Sequence, residues 1–249
     1  MHKTPEQIEQ SRLQQRLWRL FHKACQRYGL LQEGDHVLIG LSGGKDSLLL
    51  TELLGRQARI HVPHIRVTAV HVRVKERNYV SDLSYLEHFC QQCGVEFLVR
   101  DTSIVGEEQK DPCFLCSWYR RKALLETAQK LGCNRIALGH HRDDVVQTLL
   151  MNLIYQGSFA AMPALLPLDK MPIAYIRPLC LMDETDIVRY AELQGYAKQK
   201  TLCPFEKASS RTQAKELIRE LEQLNPDVRS SLWNAMENIK TDYLPHSIV

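Results

Sequence analysis

Between Val37 and Gly157 short apolar runs and longer amphipathic stretches take turns. "VLIGL", "IRVTAVHV", "VEFLVR" and "RIALG" are compact aliphatic and β-branched runs, the pattern of strands buried on both faces. Each is followed by a stretch with apolar residues three and four apart: "SLLLTELLGRQ", "SDLSYLEHFCQQCG", "WYRRKALLETAQKLG" and "DDVVQTLLMNLIYQG". Strand and helix alternating at this spacing predict an α/β fold, a doubly wound, mostly parallel sheet with right-handed crossovers. Beyond Gly157 the pattern changes. "SFAAMPALLPLDKMPIAYIRPLC" holds four prolines, and one short strand is expected there, near Ile173 to Ile176. Helices follow near Glu184 to Gln194, Ser210 to Leu224 and Pro226 to Lys240.

A further helix precedes the alternation. Thr4-Pro5-Glu6-Gln7 matches a capping box with proline in the first turn, and Leu13, Leu17, Phe21, Ala24 and Tyr28 recur at helical steps before Gly29. Arg12, Arg16, Arg19, Lys23 and Arg27 form a second stripe, either a solvated face or a nucleic-acid surface. The expected organisation is an N-terminal helix over 1–30, an α/β domain over 31–180 and a helical extension over 181–249.

Bulk properties exclude little beyond the membrane. Hydrophobic content of 44% and charged content of 24% are ordinary for a soluble globular chain, and a net charge of +3 tolerates a polyanion without demanding one. No apolar stretch is long enough to span a bilayer. "MHKTPEQIEQ" lacks an apolar signal core. Eight cysteines without a secretory signal point to reduced thiols, metal or catalysis, hence to the cytoplasm.

The loop after the first strand reads Ser42-Gly43-Gly44-Lys45-Asp46-Ser47. It is not a Walker A motif: Asp46 follows the lysine where Ser or Thr is required, and Ile39 stands where the first glycine belongs. The chemistry still favours phosphate. Glycines permit close backbone approach, and amides at a helix start carry positive potential. Lys45 adds a point charge, Ser42 and Ser47 add hydroxyls, and Asp46 is a candidate magnesium ligand. The position, at a strand's carboxyl end, is where doubly wound sheets bind ligands.

"SGGKDS" resembles the signature of the PP-loop ATP pyrophosphatases, which split ATP between its α and β phosphates. "LGHHRDD" (Leu138 to Asp144) resembles that family's motif at the end of the fourth strand. The resemblance implies that Gly139 and His140 lie beside the nucleotide and that Asp143 and Asp144 lie near the metal or phosphates. Read without it, the same aspartates are a polar helix start. The second strand around His71, in "AVHV", would by the same resemblance offer backbone groups to the adenine.

The cysteines narrow the branch. Cys113 and Cys116 form a C-x-x-C, and Cys203 stands alone far along the chain. With no second C-x-x-C beside the first, a four-thiolate zinc site is incomplete. Cys90 and Cys93 fall on an apolar helical stripe and are expected to pack as small hydrophobes, as are Cys25, Cys133 and Cys180. The PP-loop, "LGHHRDD", the C-x-x-C, "IRPL" (Ile176 to Leu179) and a late cysteine together are similar to the tRNA 2-thiocytidine synthetases. That resemblance implies ATP, magnesium and a 4Fe-4S cluster held by Cys113, Cys116 and Cys203, with Lys45 and Asp46 in the chemistry. It also implies a tRNA substrate, a sulfur donor (a cysteine desulfurase or sulfide) and a homodimer. There are departures: Lys200 stands where the family has a cysteine, "RRK" (Arg120 to Lys122) replaces Arg-Arg-Gly, and "PFEKASSRTQAKEL" replaces a Gly-Ser-Gln segment. Arg120, Arg121, Lys122 and Arg177 are candidate RNA contacts or simply a solvated face. Two other readings share the loop: a lysidine- or amide-forming ligase, and a nucleotide-binding regulator with structural zinc.

Overall fold

The computed structural model describes residues 4–60, 62–76, 81–104, 112–197 and 210–245. The first helix, α1 (Pro5–Tyr28), begins with the expected capping box: Thr4 Oγ1 accepts from Gln7 N while Gln7 Oε1 accepts from Thr4 N. It ends at Gly29 in the left-handed region. The alternating segment runs β1 (His36–Gly40), α2 (Lys45–Ala58), β2 (Arg66–Val74), α3 (Leu83–Cys93), β3 (Glu96–Thr102), α4 (Pro112–Leu131), β4 (Arg135–Ala137) and α5 (Arg142–Gln156). Then come β5 (Leu165–Leu168), β6 (Met171–Ile176), α6 (Glu184–Gln194), α7 (Ser210–Leu224) and α8 (Val228–Glu237).

The six strands are ordered β3-β2-β1-β4-β6-β5. All neighbours are parallel except β5 with β6. This is the doubly wound sheet the alternation predicts. Because the chain goes from β1 outward through β2 and β3, then returns to β4 on the other side, the order reverses between β1 and β4. Their carboxyl ends therefore open a crevice. Ile39 of β1 stands in register with both Ala69 of β2 and Ala137 of β4, so loops leaving β1 and β4 start side by side.

One expectation is corrected. The proline-rich segment holds two strands rather than one: Leu165–Leu168 pairs antiparallel with β6, with an irregularity at Pro167/Leu168. Pro167 cannot donate to a ladder, but β5 is an edge strand, where a proline is tolerated.

The chain divides into two compact units. The first contains the sheet, α1 to α4 and α6. Between α4 and the sheet lie Leu38, Val70, Ile136 and Ile173 against Ala123, Leu124 and Ala128, all buried. Helix α6, expected in the C-terminal extension, packs on α1 and α2 in this unit. Its attachment is polar as well as apolar: Glu52 of α2 accepts from Tyr190 OH at 2.5 Å and from Tyr196 OH at 2.6 Å. Burial, with the Glu52 carboxylate alongside, holds both phenols well above their usual range. The second unit is α5 with α7 and α8, around Val146, Leu150 and Ile218 with Leu221, Leu232 and Trp233.

Candidate functional site: the loop between β1 and α2

Strand β1 hands the chain to the loop under tight control. Leu41 N extends the ladder by one bond, donating to Val70 O at 3.0 Å. On the other side His71 of β2 makes a 2.8 Å bond to Leu41 O through Nδ1. Since a carbonyl can only accept, Nδ1 carries the proton. Burial at 5% exposure pushes His71 below its usual range, opposed by the Leu41 bond and aided by the charges of Arg120 and Arg73. His71 is thus a neutral brace beneath the loop.

The turn itself requires Gly43, whose φ is +86°. Gly44 then caps α2 without a side-chain bond. Ser47 Oγ accepts from Gly43 N at 3.1 Å and donates to Gly44 O at 2.9 Å, while Ser42 Oγ accepts from Gly44 N at 3.3 Å. The two serines are therefore committed to the loop's own backbone. By helix geometry the amides of Lys45, Asp46 and Ser47 have no acceptor within α2. A rigid turn feeding three such amides and a lysine is suited to a phosphate group.

The second loop closes on the first. A β-carbon on Gly139 would lie 3.0 Å from Asp46 C, 3.1 Å from Asp46 O and 3.1 Å from Ser47 N, all backbone atoms. Two residues on, His141 is 4% exposed, with Nε2 3.8 Å from Asp46 Oδ1. His140 lies half-buried between them. Asp46 Oδ1 has no hydrogen-bond partner among the described residues. A buried carboxylate oxygen in that state suits a hard cation such as magnesium, which takes one or two carboxylates and completes its shell with phosphates and water. Among the described residues no three His, Cys, Asp or Glu side chains gather into a metal site of their own.

Lys45 Nζ lies 3.1 Å from Asp46 Oδ2 and 3.5 Å from Glu184 Oε1, at the start of α6. Burial alone would depress this ammonium, but the two carboxylates outweigh it and hold Lys45 above its usual range. The same first turn of α6 gathers other cations. Asp183 pairs with Arg142, and Arg16 of α1 reaches Asp186 at 3.1 Å and Asp183 at 3.9 Å. Sequence reading missed Glu184, which is 139 residues from Lys45 in the chain. It also had no basis for separating His141 from His140.

The remaining predicted residues have contacts of their own. Asp143 is buried and paired with Arg229 in the second unit, and Asp144 O accepts from Thr148. Arg177, 8% exposed, donates through Nη1 to Pro163 O at 2.5 Å and through its backbone N to Ala164 O at 2.9 Å. Burial, then the neighbouring charge of Arg121, lowers Arg177 from its usual range. Arg120 is half-buried on α4, whereas Arg121 and Lys122 are exposed, with Lys122 Nζ 5.4 Å above the Trp118 ring. Cys116 is buried one helical turn before Arg120. Cys113 belongs to the first turn of α4, but its side chain, like Cys203 and Lys200, lies outside the described residues. Cys25, Cys90 and Cys180 are buried thiols raised by desolvation to about 12, and Cys133 to about 11. They pack as small hydrophobes, as expected; Cys93 is half-buried and also raised to about 12.

Known proteins resemble this chain over most of its length. The PP-loop domain model matches residues 9–202. The tRNA-cytidine(32) 2-sulfurtransferase of Tolumonas auensis is 36% identical over 96% of this chain and 81% of its own length. That of Methylococcus capsulatus is 36% identical over 97% of this chain and 86% of its own. Among solved structures, the U34-tRNA thiolase NcsA from Methanococcus maripaludis with its 4Fe-4S cluster superposes with a TM-score of 0.77 at 25% identity, covering 96% of this chain and 84% of that one. The chain therefore belongs to the PP-loop family of enzymes, in the branch of the tRNA-cytidine(32) 2-sulfurtransferases.

Proposed function

We propose that the protein is an ATP-dependent tRNA sulfurtransferase acting in the cytoplasm, which replaces the 2-oxo group of a tRNA cytidine with sulfur. The observation that carries this reading is the close apposition of Gly139 to the start of α2, beside amides suited to phosphate, in a chain 36% identical over 96% of its length to a tRNA-cytidine(32) 2-sulfurtransferase. ATP enters with its phosphates on the amides of Lys45, Asp46 and Ser47. Lys45 exchanges its carboxylate partners for phosphate oxygens and stabilises charge developing on the leaving pyrophosphate. Asp46, through Oδ1, orients the magnesium that accompanies ATP.

The cytidine oxygen attacks the α phosphorus, an O–P bond forms and the bond to pyrophosphate breaks. A sulfur nucleophile then adds at C2, and the C–O bond breaks to release AMP carrying the former base oxygen. The protein needs no strong base for either step; its task is to hold ATP, cytidine and sulfur together. Cys113, Cys116 and Cys203 would hold a 4Fe-4S cluster, which when bound would present sulfide taken from an external donor as the nucleophile. Thiolates are the donors such a cluster takes, and the buried Cys116 on α4 fits that role. The base must be unpaired or flipped to expose its edge, and Arg121 and Lys122 are exposed to meet its backbone.

The test is tRNA-dependent pyrophosphate release from ATP by anaerobically prepared protein. Release that requires tRNA and is lost in Lys45→Ala supports the reading. Release that is indifferent to tRNA, or none at all, overturns it.

A further inference from the structure

Helix α1 carries a basic stripe that the proposed reaction leaves without a role. Arg12, Arg16, Arg19, Lys23 and Arg27 are all exposed. At 100° per residue they fall within one narrow strip, on the side of α1 away from its buried residues Leu17, Phe21, Ala24 and Cys25. The strip is about 22 Å long at the helical rise. The helix's acidic residues, Glu6 and Glu9, lie before it, and Glu9 is bound to Arg189 by two bonds of 2.8 and 2.6 Å.

The stripe is also tied to the site. Arg16, near its middle, is fastened to Asp186 and Asp183 at the first turn of α6, and the next residue there, Glu184, contacts Lys45 of the loop. Cations on α1 are thus two ion pairs away from the phosphate cradle. A row of single-sign charge on an exposed helix face raises the local concentration of a polyanion beside the site.

We propose that this face of α1 is a docking surface for the sugar-phosphate backbone of the tRNA whose base enters the site. The occupant follows from charge: a linear row of guanidinium and ammonium groups, without aromatic side chains in the row to read bases, fits a phosphate backbone and gives affinity without sequence preference. The inference rests on the tRNA reading above, and its test separates the two.

The experiment is binding of unmodified tRNA by fluorescence anisotropy at several salt concentrations, for the parent and for Arg12→Gln/Arg19→Gln/Lys23→Gln. These positions leave Arg16 and its contact to α6 intact. ATP affinity and the thermal midpoint, read in parallel, should match the parent. The triple variant is expected to bind tRNA at least about tenfold more weakly, and its log Kd against log salt slope to fall by about 3, one for each lost phosphate contact. Equal affinity and equal slope in parent and variant would overturn the surface while leaving the tRNA reading intact. No tRNA binding by the parent would overturn both. Should the variant keep tRNA affinity and instead lose binding to phosphatidylserine vesicles, the stripe is a membrane surface and the proposal fails.

Discussion

A β-carbon on Gly139 would crowd backbone atoms of Asp46 and Ser47 at 3.0–3.1 Å, and backbone cannot swing aside as a side chain can. Gly139→Ala is therefore expected to shift the β4 loop from the start of α2 by a few tenths of an ångström. ATP affinity is expected to drop by roughly tenfold or more, with a stability loss of only about 1–3 kcal/mol, the common range for point changes. Calorimetric titration with ATP, alongside thermal unfolding, separates the two effects; unchanged affinity would mean that the apposition is not part of the nucleotide site. His71 gives a pH signature. Its folded-state affinity for protons lies below the unfolded value of 6.5, so the unfolded chain protonates first as pH falls. Its contribution is fully present above that value and is lost as pH drops through it toward the folded value. His22 and His36 are shifted in the same direction, so they add to the slope. The parent should lose stability between pH 7.5 and 5 in denaturant titrations, and His71→Asn should lose less; equal slopes would contradict a buried neutral brace. At this scale the sequence was legible where a residue type answers to one demand. Glycines and a lysine after a strand predict a tight turn that opens a helix, and that turn is there. Glu184 was not legible, because nothing local distinguishes an acidic residue in a first helical turn from one that crosses the fold to reach a lysine.

Elements matter here through where they start. The carboxyl ends of β1 and β4 open the crevice, and α2 and α6 direct their first turns to it. Helix α6 keeps that position through Glu52, which accepts both the Tyr190 and Tyr196 hydroxyls. Glu52→Ala removes the acceptor of both phenolic hydroxyls, while Tyr190 OH keeps the bond it accepts from Gln194, at a cost of about 1–3 kcal/mol. It should also weaken ATP binding by freeing the start of α6. Glu52→Gln, which keeps one acceptor oxygen and donates through its NH2 to the other phenol, should recover about half of the loss in both measurements. A full loss in the glutamine variant would point to charge rather than pairing. The alternation of strands and helices was readable because a strand buried on both faces must be apolar throughout and a helix packed on one side cannot be. Strand β5 was not: Leu165–Leu168 is short and holds a proline, and only its place at the sheet edge, a tertiary fact, makes that acceptable.

In the whole molecule, the candidate site is built from residues far apart in the chain. Lys45, Gly139, His141 and Glu184 meet because the sheet reverses its strand order between β1 and β4 and the chain then returns through α6. The cysteine set is more widely dispersed, with Cys113 and Cys116 on α4 and Cys203 nearly ninety residues later. That spacing is readable only through the family resemblance, since composition and periodicity do not join a C-x-x-C to a distant single cysteine. The most direct test of sulfur transfer is mass-spectrometric quantification of 2-thiocytidine in tRNA after anaerobic incubation of the reconstituted protein with ATP, magnesium, sulfide and unmodified tRNA. One AMP and one pyrophosphate per 2-thiocytidine, with product absent in Lys45→Ala and in Cys203→Ala, is the predicted result. ATP cleavage without a thiolated cytidine, or full thiolation by Cys203→Ala, would contradict it.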